Sequence, residues 1–99
     1  MVTLEHIKKG LYDEKEFFSS LGIEKVGIFG SYIRGEAKPH SDIDILIDVA
    51  PDSSLTLFSL IDLEQRLSEK LKTKTDLVIR SDLKPNIGER ILSEVEYVW

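Results

Sequence analysis

Over residues 42–49 the chain alternates in polarity, with Leu46 the one exception. Asp42, Asp44, Leu46 and Asp48 fall on one side, and Ile43, Ile45, Ile47 and Val49 on the other. Period-two hydrophobicity is the pattern of a strand packed on one face and open on the other. A parallel strand sandwiched between two helix layers would be apolar on both faces. Residues 75–80 repeat the pattern, with Leu77 and Ile79 opposed to Asp76, Val78 and Arg80. Residues 25–29 supply a further apolar strand. The fold class these strands predict is α+β: a small mixed β-sheet, helices packed on one face, and an open face available for chemistry.

Between the strands, the periodicity and punctuation predict helices. Leu4, Ile7, Leu11, Phe17, Phe18 and Leu21 make an apolar stripe over residues 3–21, which Gly22 closes. A short helix over residues 31–36 ends at Gly35. Residues 51–54 form a turn with N-cap candidates for a helix over residues 55–71, whose Leu57, Leu60, Ile61, Leu67 and Leu71 are read as core. Pro85 suits the first turn of a last helix ending near Val95. The chain of 99 residues is expected to form one domain, residues 1–99.

The open face carries the chemistry. Asp42 and Asp44 are two apart on a strand, so both carboxylates leave the same face. Two hard oxygen ligands suit magnesium, which takes one or two carboxylates plus phosphate oxygens and water. With ten residues between it and Asp42, the pair Gly30-Ser31 ends the strand at residues 25–29. Gly30 has no Cβ to keep a phosphate away, and Ser31 opens a helical turn whose free N–H groups attract anions. A calcium loop is disfavoured, because Asp44 continues into apolar strand without a third ligand or the required glycine. Asp48 is read as a solvated charge, His40 as a solvated loop residue and His6 as surface. Tyr32 either stacks or packs. Tyr97 and Trp99 dock on this domain or on a partner.

Composition narrows the functional class. The formal charge of −5 runs against the basic face of proteins that track a nucleic-acid backbone, so nucleic acid is not an expected partner. The absence of cysteine removes disulfides and thiolate metal sites. No apolar run approaches a membrane span, and the first ten residues lack the apolar core of a signal peptide. A cytoplasmic location is expected.

The Gly-Ser pair, ten residues and Asp-x-Asp resemble the signature of the nucleotidyltransferase superfamily that includes DNA polymerase β. The chain is most similar to the minimal nucleotidyltransferases (MNT) that serve as antitoxins to HEPN-domain toxins. Residues 74–79, K-T-D-L-V-I, resemble the family's third-carboxylate strand, and residues 83–92 its closing helix. One departure is Tyr32, where many relatives carry a basic residue after the Gly-Ser.

The resemblance implies a nucleoside triphosphate substrate, ATP, and two Mg2+ ions held by Asp42, Asp44 and Asp76. Asp76 would also serve as general base, while Gly30 and Ser31 would hold phosphates, with Arg34 as a further phosphate or partner contact. Larger relatives hold their acceptor on a second domain, so this chain is expected to meet its acceptor as a separate protein. The implied activity is a protein adenylyltransferase that attaches AMP to a tyrosine of a HEPN toxin. The alternatives are a non-catalytic antitoxin that works by binding, or a transferase to a small molecule or nucleic acid supplied by another subunit.

Overall fold

The computed structural model describes residues 1–99. In chain order the elements are α1 (Leu4–Asp13), α2 (Lys15–Ser20), β1 (Ile23–Phe29), α3 (Ser31–Arg34), β2 (Ile43–Val49), α4 (Leu57–Leu71), β3 (Thr75–Ile79), α5 (Pro85–Glu94) and β4 (Glu96–Tyr97). The sheet order is β3-β2-β1-β4. β1 runs antiparallel to both β2 and β4, and β2 runs parallel to β3 with α4 as the crossover. The predicted mixed sheet is therefore present, with one parallel pair at the edge.

The alternation of β2 does what it predicts. Ile43, Ile45 and Ile47 are fully buried in a core with Ile7, Leu11, Phe18, Val26, Ile28, Leu63, Leu67 and Leu77. Tyr32 packs into the same core. On the opposite side of the sheet lie Asp44, Leu46 and Asp48. Here α5 lies beside the aspartates, where Ile87 and Ile91 share a cleft with Phe29 and Asp44. The short 3-10 turn at Arg80–Asp82 packs beside β2. Leu46 is consequently buried on the aspartate side, outside the main core.

Local departures from the sequence reading have physical causes. The single helix expected over residues 3–21 is two, broken at Glu14. Its carboxylate accepts from Arg66 and Lys70 of α4, so a long-range ion pair fixes the break. α4 is capped by Thr56, whose Oγ1 accepts the Ser59 N–H, and not by residues 51–54. Ser53 instead donates to the Leu21 carbonyl and accepts the Leu55 N–H. Along α4, Leu63, Leu67 and Leu71 face the core, while Leu57 and Ile61, read as core, are exposed. At about 100° per residue they sit to one side of the buried stripe. β4 is a two-residue strand that the sequence did not signal. Beyond it, the Val98 N–H donates to the Val26 carbonyl, and Trp99 packs edge-to-face on Phe18 and Tyr12 at 5.4 and 6.2 Å. The terminal tryptophan thus docks on its own domain.

Candidate active site

Register brings the predicted carboxylates together. Asp44 pairs with Phe29 on one side and with Asp76 on the other, so Asp76 stands beside Asp44 on the same face. Asp42 precedes it by two residues on that face. Gly30 follows Phe29 at the end of β1, with φ +81° and ψ −152°. A Cβ at this position would collide with the Asp44 carboxylate, so only glycine lets the turn lie against the acid. The Gly30 carbonyl accepts from the Ile33 and Arg34 N–H groups at 3.1 Å each, closing the single turn of α3. Gly35, at φ +73° in the left-handed region, ends that turn.

The electrostatics are those of crowded carboxylates. Burial raises the Asp44 pKa above 3.8, and the neighbouring charges of Asp76 and Asp42 add to it. Arg34 partly offsets this, and Glu94 works the other way. Lys74 leans into the same cluster, with its ammonium 3.6 Å from Asp42 and 3.9 Å from Asp76. No three acidic or histidine side chains are drawn together tightly enough to cage a metal ion in this conformation. The donor set nevertheless fits a hard divalent cation in chemistry and placement. All three carboxylates lie on one face and repel one another, and two of them, Asp42 and Asp76, already share Lys74 as a positive neighbour.

Next to Asp44 is a cleft of about 200 Å3, whose walls include Phe29, Gly30, Arg34, Ile87, Arg90 and Ile91. Its apolar patches and two arginines suit a nucleotide, with a base on the former and phosphates on the latter. Arg34 is not free there. Its guanidinium donates to both carboxylate oxygens of Glu94 at 3.0 and 3.1 Å, and to Glu36 at 3.1 Å. Glu94 also accepts the Gly30 N–H at 2.5 Å. Arg90 forms no ion pair, so it is the unengaged cation of the cleft.

Sequence reasoning missed Lys74, Arg90 and Glu94. Arg90 and Glu94 carried no usable signal, because α5 brings them to Gly30 from some 60 residues away. Lys74 did have one, being two residues from Asp76 and on the same side of the strand. Asp48, read as a solvated charge, is paired with Arg80 at 3.3 Å and has one buried, unpartnered oxygen. His6 and His40 are exposed, as expected.

The sequence profile of the nucleotidyltransferase domain matches residues 11–98. The protein adenylyltransferase MntA of Thermococcus cleftensis is 46% identical over 99 residues, covering 99% of this chain and 98% of the relative. A solved structure described as a candidate minimal nucleotidyltransferase superposes with a TM-score of 0.80 at 29% identity, covering 95% of this chain and 94% of that one. A variant of the toxin–antitoxin pair MntA-HpeT superposes with a TM-score of 0.71 at 25% identity, covering 100% of this chain and 73% of that one. Profile, sequence and fold converge: the chain belongs to the nucleotidyltransferase family, among its minimal, MntA-like members.

Proposed function

We propose that this nucleotidyltransferase is a cytoplasmic, magnesium-dependent protein adenylyltransferase that silences a HEPN-type toxin by transferring AMP from ATP to a tyrosine hydroxyl. The observation that carries the reading is the β1–β2–β3 register. It aligns Asp42, Asp44 and Asp76 on one face beside the positive-φ Gly30 turn. The relative named MntA protein adenylyltransferase, similar over nearly its whole length, supports a protein as acceptor.

The chain's own residues divide the work. Gly30 and Ser31 approach the phosphates, and Arg90 and Arg34 supply positive charge beside them. Asp76 accepts the proton of the acceptor hydroxyl. The acceptor oxygen attacks the α-phosphorus as the bond to the β-phosphate oxygen breaks, and pyrophosphate leaves. Magnesium held by Asp42, Asp44 and Asp76 would neutralise the phosphates and favour the ionised acceptor. Phe29, Ile87 and Ile91 give the nucleotide an apolar wall.

The test uses ATP labelled at the α-phosphate, magnesium, this protein and the product of the neighbouring reading frame. Label is expected on the neighbour's tyrosine. The Asp42→Ala/Asp44→Ala variant is expected to lose at least 100-fold of the rate, the scale on which charge stabilisation of a transition state operates. Suppression of toxicity by both forms without label would make the chain a binding antitoxin. Label on a free small molecule or nucleic acid would reassign the acceptor.

A further inference from the structure

The exposed side of α4 is the feature the catalytic reading leaves unused. Leu57, Phe58 and Ile61 are 69%, 79% and 43% exposed, on adjacent positions of one helix face. Three large apolar side chains in one exposed cluster are a signature of a protein-binding surface. The same side of α4 continues through Glu64, Gln65, Ser68 and Glu69. Together with residues 74–76 it walls a groove of about 390 Å3 that begins at Ile61 and reaches Asp76. The nucleotide cleft opens separately, beside Asp44, and contains neither α4 nor β3 residues. Two openings therefore meet at neighbouring carboxylates, Asp44 in one and Asp76 in the other.

We propose that the groove between α4 and β3 receives the acceptor protein. Its apolar knob seats on Leu57, Phe58 and Ile61, and a basic, hydroxyl-bearing segment runs from there to Asp76. This rests on the transferase reading, and it names the entry route of the second substrate. The sign of the charge follows from the walls: Glu64, Glu69 and Asp76 face a single cation, Lys74, which leans toward Asp42 and Asp76. A cationic segment complements that surface, and an acidic one is repelled. The segment is read through side chains and not as an added strand. The outward N–H groups of edge strand β3 are already taken, Thr75 by Ser68 Oγ at 2.9 Å and Leu77 by Glu64 Oε2 at 2.8 Å.

The experiment compares the wild type with Phe58→Glu/Ile61→Glu and with Glu69→Lys, using the purified product of the neighbouring reading frame as the partner. Partner affinity is read by calorimetry, acceptor KM by α-labelled ATP, and nucleotide affinity by a fluorescent non-hydrolysable ATP analogue. All three residues altered are exposed or partly exposed, and unchanged thermal melting verifies the fold. The expected result is at least a tenfold weaker partner affinity and a matching rise in acceptor KM for both variants, with nucleotide affinity unchanged. Unchanged affinity and KM would overturn the proposal. So would a wild type that sediments alone as a dimer and becomes monomeric in the Phe58→Glu/Ile61→Glu variant, since the face would then belong to a second copy. A wild type that binds the partner through this face without labelling it would defeat the transferase reading and leave the docking surface standing.

Discussion

Asp44 shows at residue scale how the site trades stability for readiness. Its raised pKa means that the folded protein holds the Asp44 proton more tightly than the unfolded chain does. Stability from this group is therefore fully present below its ordinary value of 3.8 and is lost as pH rises through the higher folded value. At neutral pH the fold carries a carboxylate that burial and two acidic neighbours disfavour. Asp44→Asn removes the charge, keeps the shape, and is expected to stabilise the nucleotide-free protein. The gain is about 0.5 kcal/mol, small because solvent screens a half-exposed group. Urea midpoints at neutral pH should show it, and the difference should vanish below pH 3.8. Adding magnesium and ATP should reverse the order by stabilising the wild type alone. The pair Asp42-Asp44 and the Gly30 turn were legible because strand period and turn chemistry are local. Arg90 and Glu94 were not, since only the packing of α5 brings them to Gly30.

At the scale of elements, the sequence was clearest where one periodicity dominated and weakest where long-range contacts decided. β2 reads directly from its alternation, and Gly35 and Pro85 mark helix ends by backbone chemistry alone. The break at Glu14 depends on Arg66 and Lys70, which no local pattern announces. Leu57 and Ile61 were misread because apolar character marks a helix face without saying whether the chain's own core or a partner covers it. The two residues of β4 are too few for a period. What holds that end is Trp99, which lies against Phe18 and Tyr12 while its carbonyl accepts the Val26 N–H. Trp99→Ala is expected to cost about 2 kcal/mol, below the range for a fully buried aromatic because the ring is only partly buried. Urea unfolding followed by far-ultraviolet circular dichroism measures it. Partner labelling at a temperature where the variant remains folded should continue, because Trp99 touches neither cleft.

Across the whole molecule, the arrangement of the two clefts constrains the reaction path. The nucleotide cleft lies between β1 and α5, the α4 groove lies on the far side of β2 against β3, and the carboxylates stand between them. In the proposed reaction an acceptor oxygen arriving from the groove would approach the α-phosphorus from the side opposite the nucleotide cleft. Pyrophosphate would leave on the nucleotide side, an arrangement suited to one in-line displacement. A covalent adenylyl-enzyme would require two displacements and a side-chain nucleophile activated by a neighbouring base. Ser31, the hydroxyl at the Gly30 turn, has no such base among its hydrogen-bond partners. Direct transfer predicts inversion of configuration when ATP chirally labelled at the α-phosphorus is the donor. It also predicts no exchange of labelled pyrophosphate into ATP unless the partner is present. Retention, together with exchange by the protein alone, would mean that AMP rests on this chain before reaching its acceptor. The groove would then deliver the acceptor to an adenylylated residue, and Asp76 would no longer be the base that deprotonates it against ATP.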